Sequence, residues 1–192
     1  LVMERHLTED GVPQGTAASS ARPDEKPSPP ATVLDVIDTT AGVAENGQGG
    51  IFQAYSVRGL SRQRVLTLVQ GMRLVGERRA GVSASFIDPL LLDSVTVVRG
   101  PASIVYGSGA LGGVVEVFPR ILAAGEASAG YVSQGNGTAV SGGWGGSGWS
   151  VAAAAREQGD AEDPTGATID DGFKQASATV RKTWTMKGIE YD

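Results

Sequence analysis

The sequence predicts an α+β domain, with a small mixed sheet and short helices, followed by a run of antiparallel β-strands. Three observations lead there. Short β-branched runs separated by glycine turns crowd residues 51–119, and a single helical spacing with its own cap precedes them. After Pro119 the chain changes to stretches of about ten residues in which small, polar and aromatic side chains alternate. The 28 glycines gather from Gly100 onward, which favours tight turns and close backbone packing over helix.

Residues 8–32, "TEDGVPQGTAASSARPDEKPSPPAT", are rich in Pro, Ser, Ala and charge with hardly an apolar anchor, so residues 1–31 read as a flexible N-terminal arm. A compact domain over 32–120 follows. Its first element is a short helix, with Val33, Leu34, Val36 and Ile37 on a helical spacing, Thr32 as N-cap, Asp35 three residues on and Gly42 as the stop. "FQAYSVRG" and "RVLTLVQG" read as strands, the second alternating Val65, Thr67 and Val69 before a tight turn at Gly71. Asp88-Pro89 marks a turn or short helix ahead of the strand "SVTVVRG". The run "PASIVYGSGALGGVVEVF" closes the sheet with a last strand in which Glu116 is the only charge.

From residue 121 to 192 the pattern is that of transmembrane β-barrel strands, with turn signals at Gly135-Asn136-Gly137 and Lys187-Gly188. Trp144, Trp149 and Trp184 would form an interfacial aromatic girdle, and "REQGDAEDPTGATIDDG" would be a solvent loop on the outer side. A soluble β-sandwich fits the same alternation.

Composition excludes several chemistries. There is no Cys and one histidine, His6, so thiolate and imidazole metal sites and serine or cysteine triads lack their groups. Gly107, Gly109 and Gly112 match a G-x-G-x-x-G spacing, but that turn binds a pyrophosphate only when a helix opens on it, and here "VVEVF" follows. The nearest acid downstream, Glu126, is 14 residues past Gly112 rather than the roughly 20 a ribose-binding carboxylate needs. No catalytic group and no cofactor is expected.

Charge is uneven. Residues 1–50 carry −5, residues 51–100 carry +4 and residues 101–192 carry −4, and every base of the middle third is arginine: Arg58, Arg62, Arg64, Arg73, Arg78, Arg79 and Arg99. Arginine without lysine favours planar, bidentate pairing with carboxylate or phosphate. Sparse aromatics and a pI near 4.9 argue against nucleic acid as the partner. No run of eighteen apolar residues exists for a transmembrane helix, and the start "LVMERHLTED" lacks the order of a signal peptide.

Taken together, "SVRGLSRQRVLTLVQGMRL" and "FIDPLLLDSVTVVRGPASIVYGSGALGGVVEV" resemble the plug domain of TonB-dependent outer-membrane receptors, from about Val33 to Pro119. The motifs are Val57-Arg58-Gly59, the strand and turn "TLVQGM", and the stretch Val95 to Val117. Gln70 stands where the family usually has Asp, and Glu116 where Asn or Ser is common. The resemblance implies that residues 121–192 are the first strands of an incomplete barrel, because the family closes its barrel with about twenty-two strands. It implies a protein of the Gram-negative outer membrane, its plug facing the barrel lumen, that takes up a scarce ligand. An iron complex, siderophore or haem, is favoured over cobalamin or sugar. The partners implied are the TonB energy-coupling protein, the ligand and outer-membrane lipid. The family's short TonB-contacting segment precedes the plug, and residues 1–30 show no convincing match to it. A soluble plug-like binding module without transport is the alternative.

The resemblance also assigns roles. Arg58 and Arg99 would pair with carboxylates of the plug or the inner barrel wall, and Arg73, Arg78 and Arg79, in an apical loop, would meet an anionic ligand. Gly59, Gly100, Pro101, Tyr106, Gly107, Gly109, Gly112 and Gly113 would be structural, the glycines allowing sharp turns and Tyr106 filling the core. Ordinary surface arginines would satisfy the same residues.

Overall fold

A computed structural model of the chain describes residues 17–46, 54–74, 86–132, 137–162, 165–169, 172–186 and 189–191. The chain divides into two compact units, one comprising Leu1–Lys26 with Pro30–Pro119, the other Pro27–Pro29 with Arg120–Asp192.

The first unit contains β1 (Ala17–Ala21), α1 (Val33–Ile37), β2 (Val43–Glu45), β3 (Tyr55–Val57), β4 (Leu60–Ser61), β5 (Val65–Val69), β6 (Met72–Arg73), β7 (Leu92–Arg99), α2 (Ser103–Tyr106) and β8 (Gly113–Pro119). A five-stranded sheet runs β1-β7-β8-β5-β6, and β2, β3 and β4 form a second, three-stranded sheet. Only the β5/β8 pairing is parallel, so the main sheet is mixed as the sequence predicts. Its central strands are buried on both faces, which explains their nearly unbroken β-branched runs.

One face carries Val65, Val95, Val97, Val115 and Val117 against α1, together with Tyr55 and Val57. The other carries Leu66, Leu68, Val98 and Val114 against Ala102 and Ala110 of the connection between β7 and β8. Helix α1 forms where its cap dictates. The Thr32 hydroxyl accepts from the Asp35 amide at 3.2 Å, and the Asp35 carboxylate accepts from the amides of Thr32 at 2.8 Å and Ala31 at 2.9 Å. All four of its apolar residues are then buried.

The arm expected over residues 1–31 differs from the structure within its described part. Ala17–Ala21 is an edge strand, paired antiparallel with β7 from Ala17↔Arg99 to Ala21↔Val95. Its small side chains give no periodic signal, but the free edge of β7 supplies the ladder. Arg22 secures the end of that strand, donating to Asp24 at 3.2 Å and Asp93 at 2.9 Å. The short helix at Asp88-Pro89 is a 3-10 turn over Pro89–Leu91, with the Asp88 carboxylate accepting from the Leu90 amide.

In the second unit β9 (Glu126–Val132), β10 (Gly137–Gly146), β11 (Trp149–Gln158) and β14 (Phe173–Lys182) form an open antiparallel sheet in the order β14-β11-β10-β9. Two hairpins complete it: β12 (Ala161–Glu162) with β13 (Thr168–Ile169), and β15 (Trp184–Met186) with β16 (Ile189–Tyr191). Residues of β11 alternate between exposed and buried from Trp149 to Glu157, and β14 alternates exposed with half-buried. The register sorts the exposed face into rows. Trp144, Val151 and Val180 lie side by side, then Gly142, Ala153 and Ala178, then Val140, Ala155 and Ala176, and then Thr138, Glu157 and Lys174. The opposite face carries Ser128, Ser141, Ser150, Arg156, Gln175, Ser177, Thr179 and Arg181, together with Phe173 and the buried Ala139, Ala152 and Ala154. Val140, Trp144, Trp149, Val151 and Val180 thus lie on the open face, while the other face sets most of the serines, threonines and arginines beside small alanines, the reverse of where a soluble sheet places its large apolar side chains. Of the turn signals expected here, Gly137 opens β10, while Gly135, Asn136, Lys187 and Gly188 lie outside the described residues.

Candidate functional site

The glycine-rich stretch that resembles a nucleotide turn is a crossing between two strands. After β7 the chain turns at Gly100 (φ +119), makes the single turn of α2, turns again at Gly107 (φ +81) and Gly109 (φ +93), and enters β8 at Gly113. Its backbone is fully engaged: the Gly100 amide donates to Gly112 O at 3.0 Å, Ala102 to Ala110 O at 2.9 Å, and Gly112 to Arg64 O at 2.7 Å. Gly113 lies against the backbone carbonyl of Val98 and the Val57 side chain, with φ +154, so a side chain there is refused by both conformation and space. A strand rather than a helix follows the glycines. Pro101 is exposed, and Tyr106 is half-buried against the second core cluster.

Arg73 stands over this crossing. Its guanidinium donates to the Ser108 hydroxyl at 3.3 Å and to the Ser108 carbonyl. A Cβ on Gly109 would lie 2.5 Å from that guanidinium, so glycine is what lets the arginine settle on the turn. The hairpin that carries Arg73 is anchored from below. Gln70 (φ +47) and Gly71 (φ +77) form its two-residue turn, the Gln70 amide donates to Val117 O at 3.1 Å, and the Gly71 amide donates to the Glu116 carboxylate at 2.9 Å. Glu116 is 1% exposed. In the sequence Glu116 stands out as the last strand's only charge and as a departure from the family pattern; a lone acid inside "VVEVF" is the signal that a buried amide needs it.

Arg58 and Arg99 come together at Gly42. Both side-chain stems lie within 4 Å of where a Gly42 Cβ would be, and Gly42 takes φ +81. Arg58 occupies the first position of the Val57↔Leu60 turn at φ +52, followed by Gly59 at +75, and its amide donates to Gly42 O at 2.7 Å. Its side chain is exposed and has no hydrogen-bond or ion-pair partner among the described residues. Arg99 donates to Ala41 O at 2.9 Å, to the Ser19 hydroxyl at 2.7 Å and to Ala17 O at 3.4 Å, tying β1 to the loop after α1. Arg78 and Arg79 lie outside the described residues.

Among the described residues no cluster of acids or histidine is able to hold a metal, and no helix is long and apolar enough to cross a membrane. Among the described residues the strongly displaced acid is Tyr55, whose hydroxyl burial pushes well above its ordinary value against a smaller downward pull from Thr67, 2.5 Å away. This is a core group rather than a reactive one.

Comparison with known proteins decides the class. The family described as TonB-dependent Receptor Plug Domain matches residues 8–114, more than half of the chain. The chain belongs to that family. Similar proteins include the vitamin B12 transporter BtuB of Vibrio vulnificus, 39% identical over 88 residues that make up 45% of this chain and 14% of the relative. The hemin receptor of Yersinia pestis is 42% identical over 86 residues, 44% of this chain and 13% of that one. These are a transporter and a receptor, not enzymes.

The fold extends the likeness past the plug. The copper transporter OprC superposes with a TM-score of 0.69 at 22% identity, covering 87% of this chain and 28% of that structure. A double mutant of the Serratia marcescens hemophore receptor HasR, in complex with its hemophore HasA and heme, gives 0.71 at 22% identity, covering 88% and 29%. This chain of the plug family therefore spans under a third of the TonB-dependent receptors it matches, with a mixed plug sheet followed by antiparallel strands of the barrel type.

Proposed function

We propose that this chain forms the plug and the first barrel strands of an outer-membrane receptor that admits a scarce ligand, an iron complex, under the pull of the TonB protein. One observation carries the reading: a plug-family unit is followed directly by a sheet that turns valine and tryptophan to its open face and most of its serine, threonine and arginine to the other. No bond is made or broken; the chemistry is binding and release.

The arginines act at two levels in this proposal. Arg73, with Arg78 and Arg79, receives an anionic group such as a ferric chelate or a haem propionate. An anion competes with Ser108 for the Arg73 guanidinium, so ligand arrival loosens the turn at Gly107 to Gly109. Arg58, whose guanidinium has no described partner, pairs with a carboxylate of the surrounding barrel wall, and Arg99 beside it holds the edge strand β1 while its remaining donors serve the same wall. The hemin receptor among the relatives supports haem, and the vitamin B12 transporter makes cobalamin the ligand to separate from it.

The test is uptake. The gene carrying this chain is deleted from its host, and the entry of hemin, a ferric siderophore and cyanocobalamin is followed separately. Loss of hemin or siderophore uptake, restored by the intact gene but not by a form without an active TonB protein, is the expected result. Unchanged uptake of all three, or loss of cobalamin alone, overturns the iron assignment.

A further inference from the structure

We propose that Lys182 and Trp149 form a headgroup site for an anionic phospholipid on the open face of the second unit's sheet. The inference rests on the outer-membrane reading above and adds a ligand and a leaflet to it.

The two ends of this face are built differently. At one end Glu157 and Lys174 pair at 2.5 Å, so the cation is neutralised within the protein. At the other, Lys182 is directly opposite Trp149 in the register, and its ammonium lies 4.7 Å from the centre of the Trp149 ring. Among the described residues Lys182 has no carboxylate partner. Glu126 is at the same end but on the other face of the sheet, where it pairs with Arg120 at 3.2 Å. A cation seated on an indole face keeps N–H groups directed away from the ring, ready for a phosphate oxygen.

The surroundings suit a lipid. Trp144, Trp149 and Trp184 are 60%, 44% and 49% exposed at this end, and the Trp144 ring lies within 4 Å of where a Cβ on Gly125 or Gly146 would be. Beyond them are three apolar rows from Val151 and Val180 to Ala155 and Ala176. From Trp149 to Glu157 is about 27 Å along the strand, or roughly 19–22 Å along the membrane normal at the usual tilt, most of an apolar barrel band about 25 Å tall.

Loop lengths choose the leaflet. At the tryptophan end β10 passes to β11 through Ser147 and Gly148 alone, whereas residues 159–172 connect β11 to β14 at the other end. Short turns face the periplasm in such barrels, and the periplasmic leaflet is the one made of phospholipid. A cation near an anionic lipid surface is worth about fivefold in binding.

The experiment places the receptor carrying this chain in bilayer discs of equal phosphatidylglycerol and phosphatidylethanolamine, then counts the lipids it retains by native mass spectrometry. Wild type should hold phosphatidylglycerol about fivefold over phosphatidylethanolamine. Lys182→Gln and Trp149→Leu should each abolish most of that preference, Lys182→Arg should keep it, and Lys174→Gln at the other rim should leave it unchanged. A protein that enters the discs but shows the same preference with Lys182→Gln overturns the site alone. One that never enters the discs overturns the outer-membrane reading and the site with it.

Discussion

Val97 and Val115 sit side by side at the centre of the first unit's sheet and are both fully buried, whereas Val151 and Val180 sit side by side in the second unit's sheet and are 43% and 66% exposed. The residue type, the strand context and the antiparallel pairing are the same. Under the proposed function, what differs is the medium each sheet is built for. The first covers both faces with α1 and the crossing at residues 100–112, leaving polar groups inside only where a partner waits, as Glu116 serves the Gly71 amide. The second turns Ser150, Arg156, Ser177 and Thr179 to its covered face and leaves Val140, Val151 and Val180 exposed, which water would penalise and hydrocarbon would not.

Substitutions should separate the two regimes. The largest effect belongs to Gly113→Val, which forces a β-branched side chain into φ +154 against the Val98 carbonyl; we expect a loss of about 4 kcal/mol in the first unit, read as collapsed hydrogen-exchange protection across β7 and β8. Val180→Arg comes next. On a lipid-facing strand it should cost about 3 kcal/mol and reduce membrane insertion, while on an aqueous surface it would cost almost nothing, so recovery of unchanged protein from the membrane fraction would break the comparison. Thr32→Ala removes the cap of α1 and should lower stability by about 1 kcal/mol, measured as a small fall in the denaturation midpoint of the first unit with no effect on insertion.

The smallest effect at neutral pH concerns Tyr55. Its folded-state value is raised above the ordinary tyrosine value near 10, so its contribution is intact below that pH and is lost as the pH rises through the folded value. Melting of the first unit should therefore decline above about pH 10, and Tyr55→Phe should flatten that decline. An unchanged alkaline slope in the variant would assign the loss to other groups.

Local chemistry made much of this legible. Helix α1 was readable because Thr32 and Asp35 cap it within four residues, and β5 and β8 because burial on both faces leaves an unbroken β-branched run. Long-range pairing was not legible. Ala17–Ala21 has the composition of a linker and becomes a strand only because β7 offers an edge, while the single turn of α2 starts after Ala102 without a side-chain cap. The turn at Ser147 and Gly148 is hidden in a glycine-rich run whose spacing shows no break. Among the site residues, sequence singled out Arg58, Arg73 and Arg99 by type and position, but their partners Gly42, Ser108 and Ser19 are distant in the chain and carry no motif.

The central claim is that one chain holds a sheet made for burial in protein and another made for lipid. Because the chain has no cysteine, single cysteines placed from Gln175 to Arg181 can each carry a nitroxide in the membrane-reconstituted protein, and collision with oxygen can be compared with collision with a water-soluble nickel complex. The account predicts a period of two, with oxygen favoured at Ala176, Ala178 and Val180 and lower at Ser177 and Thr179. High nickel access at Ala176, Ala178 and Val180 would place that face in water and contradict it.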